Sequence, residues 1–297
     1  VVTNVGSGDH LGLNYITTVQ DLAVLKRVIV QNVSTTGTAV LNATDPTVAA
    51  MAGKCRGSVT FFAVDKFHPV MATHRAQGQA VVYVENGQIV ASKGDLHQTI
   101  ALANIPITMG GLIPFQVENV MASVAAAWAL GLDWNTIRDG LAGFSNDTDN
   151  AQGRFNLFTF RGATVIADYG HNPDAMIALV QAVQAMPAKR RLVVISGAGD
   201  RRDQDIRQQT EILGDAFDEV ILYEDQCQRG RQDGEVIALL RQGLANARRT
   251  TQSCEIKGEF LAIDTAMDKL TAGDLCLILV DQVEEAMAHI AARVEKG

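Results

Sequence analysis

The residues whose types and spacing carry chemistry are densest in Val165-Ile166-Ala167-Asp168-Tyr169-Gly170-His171-Asn172-Pro173-Asp174-Ala175. An apolar run ends in an acid, a turn follows with His171 and Asn172-Pro173, and a helical pattern begins at Asp174. A strand with this ending delivers Asp168 and His171 to its carboxyl end, where open α/β sheets bind ligands. A solvated strand-to-helix turn would show the same pattern. A second loop, Ser196-Gly197-Ala198-Gly199-Asp200-Arg201-Arg202-Asp203, follows another apolar run. Its glycines let backbone approach a ligand closely, and Arg201 or Arg202 could hold a substrate carboxylate. The spacing is not G-x-G-x-x-G, and no strand-end acid follows at the distance a dinucleotide fold requires.

These loops need a scaffold, and 297 residues suffice for two ordinary domains. Apolar residues make up 47% and charged residues 20%, which predicts a sizeable core. A formal charge of −8 argues against a nonspecific nucleic-acid binder, which needs a basic face. Cys55, Cys227, Cys254 and Cys276 are scattered without a CxxC pair, as in free thiols of a reducing cytosol. No apolar run reaches membrane-spanning length and no signal peptide opens the chain, so a cytoplasmic protein is expected. Val1-Val2-Thr3-Asn4-Val5 reads as a buried strand with no methionine before it, the look of a piece of a longer polypeptide.

In the first half, Leu22, Leu25, Val28 and Ile29 repeat with the period of an amphipathic helix within residues 18–31. Short strands are expected at residues 39–42 and 59–64, and a helix at 46–53 opened by Asp45-Pro46. A hairpin is expected at 79–92 with Glu85-Asn86-Gly87 as its turn, and helices at 114–130 and 133–141. Residues 145–153 have almost no apolar content and read as a linker, dividing the chain into domains 1–148 and 149–297. Beyond it, strands at 164–167, 191–196, 219–222 and 275–279 alternate with helices. That rhythm predicts a mainly parallel sheet covered on both faces.

Seven segments in order resemble the Mur ligase superfamily, and within it the carboxy-terminal module of the cyanophycin synthetases. They are Thr3-Asn4-Val5, Asp9-His10-Leu11-Gly12-Leu13, Val40-Leu41-Asn42-Ala43-Thr44-Asp45-Pro46, Glu118-Asn119-Val120-Met121-Ala122, Gly153-Arg154-Phe155-Asn156-Leu157-Phe158, Asp168-Tyr169-Gly170-His171-Asn172-Pro173 and Gly199-Asp200-Arg201-Arg202-Asp203. The resemblance covers essentially the whole chain. It implies an α/β protein in which part of a central ATPase domain precedes a Rossmann-like carboxy-terminal domain. The implied chemistry is ATP-dependent amide formation in the presence of Mg2+. ATP phosphorylates a carboxylate, and an amine displaces phosphate from the acyl phosphate. In the cyanophycin synthetases the α-amine of arginine is joined in this way to the β-carboxylate of a poly-aspartate chain, in a homo-oligomer.

Roles follow by the same resemblance. His10 would be a magnesium ligand, and Lys26, sixteen residues on, would form a carbamate that helps hold the metal. A surface turn for His10 and an exposed helix face for Lys26 are the plainer readings, and a carbamate needs a lowered amine pKa. Asn119 would contact adenine, and Arg154 would reach phosphate with its fork of donors. A helix cap for Asn119 and a surface ion pair for Arg154 remain open. Asp168 would lie near the ribose or the phosphate network, with His171 and Asn172 beside the nucleotide. Gly170 stands where many relatives carry alanine. Gly199, Asp200, Arg201 and Arg202 would face the amino-acid substrate. Glu224, Asp225 and the run from Arg229 to Arg231 would follow the third strand, where acids suit a guanidinium and a solvated loop fits equally.

The family's phosphate loop, G-x-x-G-K-[ST], occurs nowhere in these 297 residues, nor does the acid that holds its first magnesium. The resemblance therefore implies an isolated chain without turnover. The rival expectations are a noncatalytic scaffold of the same fold, or another ligase of the superfamily of the cell-wall or folylpolyglutamate type.

Overall fold

The computed structural model describes residues 1–7, 11–12, 15–147, 150–225 and 227–297. By internal packing the chain divides into two compact units, Val1–Ser145 and Asn146–Gly297.

The first unit opens with helix α1 (Val19–Gln31). A capping box starts it: the Thr18 hydroxyl accepts the Asp21 N–H at 3.1 Å, and the Asp21 carboxylate accepts the Thr18 N–H at 3.0 Å. Strand β1 (Thr38–Asn42), helix α2 (Pro46–Ala50), strand β2 (Ser58–Phe62) and helix α3 (Pro69–Ala76) follow. Strands β3 (Val81–Glu85), β4 (Gln88–Lys93) and β5 (Leu96–Ala101) precede helices α4 (Pro114–Ala129) and α5 (Trp134–Ala142). The sheet runs β1-β2-β3-β4-β5, its first three strands parallel and the last two added antiparallel. The expected hairpin is present, with Asn86 at φ 50° and Gly87 at φ 72°, both left-handed as a two-residue turn requires. It continues into β5, a strand whose polar Leu-His-Gln-Thr pattern carries no apolar alternation.

Alternate residues of this sheet feed two cores. Val40, Phe62, Val82 and Ile89 pack against Val117, Val120, Met121 and Val124 of α4. Leu41, Phe61, Val81 and Tyr83 pack on the other side with Leu22 and Val30 of α1. Two expectations change here. The opening segment is not a strand: only Val2 bridges to Leu41, through Val2 N–H to Val40 O and Asn42 N–H to Val2 O. Helix α1 forms, yet of its four periodic apolar residues only Leu22 is buried, while Leu25, Val28 and Ile29 are exposed. Its inward face uses Leu22, Ala23, Lys26, Arg27 and Val30 instead. Asp45 ties the opening segment down. One carboxylate oxygen caps α2 through Thr47 and Val48 N–H, and the other accepts Val5 N–H at 2.7 Å and Gly6 N–H.

The second unit has β6 (Asn156–Phe160), β7 (Ala163–Asp168), α6 (Pro173–Ala185), β8 (Arg191–Ile195), α7 (Asp203–Gly214) and β9 (Glu219–Glu224). It continues with α8 (Glu235–Leu244), β10 (Gln252–Lys257), α9 (Glu259–Asp268), β11 (Leu275–Leu279) and α10 (Val283–Lys296). The six-stranded sheet runs β10-β9-β8-β11-β7-β6, all parallel except the β6–β7 pair. The α/β class and the mainly parallel second sheet are as expected. The two edge strands, β6 and β10, add to the four read from the sequence. β10 is Gln-Ser-Cys-Glu-Ile-Lys, too polar to register as a buried strand. Val165, Ala167, Val194, Cys276 and Ile278 face α9 and α10. Their alternates in the same strands face the side covered by α6, α7 and α8. No helix among the described residues is long and apolar enough to cross a membrane.

The polar stretch read as a linker is held by Asn156, which is fully buried. Its amide donates to the carbonyls of Asn146, Asp147 and Ala151, and its oxygen accepts Arg154 N–H at 3.2 Å. Asn156→Ala orphans these groups and should lower the stability of the second unit by about 2–3 kcal/mol in urea unfolding, with an unchanged slope. An unchanged midpoint would mean that this turn is not held through Asn156.

Candidate active site

The first unit holds three of the residues singled out above. His10 lies outside the described residues. Lys26 is half-buried on the inward face of α1, and its Nζ donates to the Asn4 carbonyl at 3.3 Å. Asn119 sits on the exposed side of α4 and donates to Gln116 Oε1 at 3.2 Å. It lies in the second turn of the helix, not at its cap. Its neighbour Glu118 is half-buried, and burial pushes its carboxyl up. Among the described residues no group of three His, Cys, Asp or Glu side chains converges as a metal would require.

The second unit gathers the rest at the carboxyl ends of its parallel strands. Asp168 ends β7 and is 9% exposed. Its Oδ2 accepts Phe155 N–H at 2.9 Å, and the Gly170 backbone N–H is a second donor. Asp168 thus clamps the segment entering β6 to the end of β7. The adjoining Arg154 is exposed and lays its guanidinium over the Tyr169 ring at 5.5 Å. His171 is half-buried beside the same ring, centroids 5.1 Å apart, with Nδ1 3.1 Å from the Tyr169 carbonyl. Asn172 caps α6, its Oδ1 accepting Ala175 N–H at 2.8 Å. Arg154, Tyr169 and His171 therefore form one corner, braced from beneath by Asp168.

The next loops are locked together by close backbone approach. A Cβ on Gly199 would fall 2.1 Å from the Gln228 carbonyl, so only glycine fits between the loops after β8 and β9. Arg231 staples them: Nε donates to Gly199 O at 2.7 Å, Nη2 to Arg201 O at 2.8 Å, and the head pairs with Asp203 and Glu235. Arg201 is buried beside Asp200, 3.3 Å away. Arg202 makes a two-pronged pair with Asp205 at 2.8 and 2.7 Å.

Between these loops lies a narrow cleft of about 20 Å³, lined in part by Tyr169, His171, Tyr223, Asp225, Arg229 and Asp281. Arg229 bonds Asp281 at 2.7 Å, reaches Asp200 at 3.6 Å and meets the Tyr169 hydroxyl. Burial opposes the Arg229 charge, but the Asp281 carboxylate and these partners hold its pKa above the ordinary value. Asp281 is pushed up to about 6 by burial and by a hydrogen bond to Asp225, against the pull of Arg229. Glu259, the first residue of α9, accepts Asp281 N–H at 2.8 Å and Gln282 N–H at 3.1 Å, and burial raises its carboxyl. The Tyr223 hydroxyl donates to Leu279 O at 3.1 Å, and burial first, then these acids, push its pKa well up. Asp281 and Glu259 carried no sequence signal beyond Asp281 following a buried strand, and that position was the available clue.

Asp168 links this corner to pH. Burial raises its carboxyl from 3.8 to about 6, outweighing Phe155 N–H, Gly170 N–H and Arg154. The folded state then binds the proton more tightly than the unfolded chain, so this contribution is full below about pH 4 and lost as pH rises through 6. Two units correspond to about 3 kcal/mol. Asp168→Asn removes the titration, so relative to it the native chain should lose about 3 kcal/mol between pH 4 and 7 in urea unfolding. A constant offset between the two proteins would show that Asp168 ionises in the fold as it does in water.

Comparison with known proteins places this geometry. Residues 1–127 match the Mur ligase middle domain, and residues 153–279 match the glutamate ligase domain of Mur ligases. The chain is 38% identical over 292 residues to the cyanophycin synthetase of Geminocystis herdmanii, covering 98% of this chain and 33% of that protein. It is 37% identical over 299 residues to the cyanophycin synthetase of Synechocystis sp., covering 100% of this chain and 34% of that one. The chain thus spans about a third of the length of these relatives. Among solved structures, Escherichia coli FolC with DHPP and ADP aligns with a TM-score of 0.65 at 23% identity, over 93% of this chain and 57% of that one. MurF from Acinetobacter baumannii aligns with a TM-score of 0.64 at 16% identity, over 99% and 59%. At such identity these two show the fold alone. The two domain matches and the identity along the whole chain establish that it belongs to the Mur ligase family.

Proposed function

We propose that the chain is an amide-bond ligase module that joins the α-amine of arginine to the β-carboxylate of aspartate in a poly-aspartate backbone. The observation that carries this reading is the acidic cleft of the second unit. Asp225 and Asp281 line it at the carboxyl end of the sheet, with Glu259 bonded to the Asp281 backbone, and a cationic amino acid would find complementary charge there. The relatives of this chain that are named cyanophycin synthetases match it along its length, which supports arginine and a poly-aspartate acceptor.

In this reading ATP supplies the activation of the acceptor carboxylate. The second unit contributes position and charge. Arg154 and His171 stand at the end of β7 to meet phosphate oxygens, and Asp168 fixes the backbone from which Arg154 projects. Asn172 sets the start of α6 behind them. Gly199 keeps the next loop close to its neighbour, and Asp200, Arg201 and Arg202 of that loop would face the amino acid in this reading. Within the first unit, Lys26 would help hold the metal, and Asn119 would offer adenine an exposed amide that both donates and accepts.

Phosphate release with ATP, arginine and a poly-aspartate primer tests the reading on this chain and on a form extended upstream to include a phosphate-binding loop. Turnover is expected in the extended form alone, and it should fall at least tenfold when lysine or citrulline replaces arginine. An extended form that binds the polymer without releasing phosphate would favour the noncatalytic scaffold. Turnover with glutamate or diaminopimelate in place of arginine would favour another ligase of the family.

A further inference from the structure

Two arginines in the loop after β9 stand two residues apart and are held in different ways. Arg231 is bonded to two backbone carbonyls, Gly199 O and Arg201 O, and to two acids, Asp203 and Glu235. Its removal would open the loops. Arg229 is held by side chains instead. Its guanidinium reaches across the cleft to Asp281 at 2.7 Å and Asp200 at 3.6 Å, with Tyr169 as a further partner. Its backbone lies at φ 48°, a left-handed conformation unusual for a residue with a side chain, and Gly230 follows at φ 95°. The loop thus turns sharply so that one long cationic side chain enters the cleft. What it enters is chemically a receptor for its own kind: a carboxylate backed by a second carboxyl, with Glu259 and Tyr223 behind.

We infer that Arg229 is an internal placeholder for the substrate's guanidinium, and that Asp281 with Asp225 is the acid pair that selects it. The inference rests on the proposed arginine specificity and deepens it. In the resting chain Arg229 neutralises Asp281. An incoming arginine side chain takes over that pairing, and Arg229 withdraws to the rim beside Asp200. A guanidinium can replace a guanidinium at this point with the same planar fork of donors, whereas a lysine ammonium is a point charge and citrulline has no charge. The exchange also sets a threshold, because any side chain that cannot compete with a tethered cation leaves the cleft closed. A binding-competent state that is only fractionally populated weakens the apparent affinity by that fraction.

Calorimetric or NMR titration of the 297-residue chain with L-arginine, L-lysine, L-citrulline and methylguanidinium tests this, using Arg229→Ala, Asp281→Asn and Asp225→Asn, each checked for native folding by its thermal transition. Arg229→Ala should tighten L-arginine by about tenfold and leave L-citrulline unchanged. Either acid substitution should weaken L-arginine by about tenfold or more. Weaker L-arginine binding in Arg229→Ala would make Arg229 a ligand of the substrate carboxylate and overturn the placeholder. Arginine binding unchanged in all three variants would overturn the acid pair while leaving arginine specificity intact. If methylguanidinium binds Arg229→Ala only with Asp281 present while L-arginine binds nothing, the cleft's chemistry stands and the arginine-ligase reading falls. If no guanidinium compound binds any form, the inference is overturned.

Discussion

The second unit depends on the placement of one strand. β11, last in sequence, is inserted between β7 and β8, so β7 and β8 are joined by α6 without being neighbours. Parallel connections are right-handed, and reversing the direction of travel across the sheet sends the connecting helix to the opposite face. Hence α9 and α10 cover one face, while α6, α7 and α8 belong to the other. Where the connections part in opposite directions, the strand ends leave a narrow cleft crossed by the Arg229 guanidinium, and loops from four strands border it. Tyr169 follows β7, Gly197 follows β8, Asp225 follows β9 and Asp281 follows β11. The cleft is a product of strand order, and the charges in it are what the loops bring there.

Gathering Asp225, Glu259 and Asp281 in a half-buried place carries an electrostatic penalty. The fold offsets part of it with backbone. Glu259 accepts two N–H groups from the loop that carries Asp281, so its position and that loop's are set together. Asp281 is compensated differently, by the Arg229 guanidinium, beside a hydrogen bond with Asp225. The first arrangement is built into the backbone and is permanent. The second consists of side chains, which can be exchanged. The fixed acid orders the loop, and the exchangeable acid is the one left to face a ligand.

Periodicity made most strands and helices legible, because alternating and 3.6-residue patterns record which faces are buried. It failed where burial is slight. Edge strand β10 and the hairpin extension β5 need little apolar content, since one side pairs with a neighbour and the other meets solvent. In α1 it predicted the helix but not its orientation, since Leu25, Val28 and Ile29 form a stripe as apolar as the one that packs. Residues of the candidate site divide in the same way. Asp168 and His171 could be read because a motif places them at a strand end. Asp281 and Glu259 could not, because they are 22 positions apart and meet only through the hydrogen bonds of the folded loop.

The choice of arginine at position 229 follows from the spread of its partners. Asp281 and Asp200 stand on different loops, and Tyr169 on a third. A guanidinium distributes its donors over a plane, so its two terminal nitrogens can serve two carboxylates at once, and an ammonium in the same place would favour one. The same geometry bears on what can displace it. Once Arg229 leaves, the cleft presents carboxyl groups that were paired with a delocalised planar cation, and the lowest-energy replacement is another such cation. A neutral ligand would leave Asp281 uncompensated in a half-buried site. Discrimination then arises less from attraction to the right ligand than from the energetic cost of uncovering the acid for a wrong one.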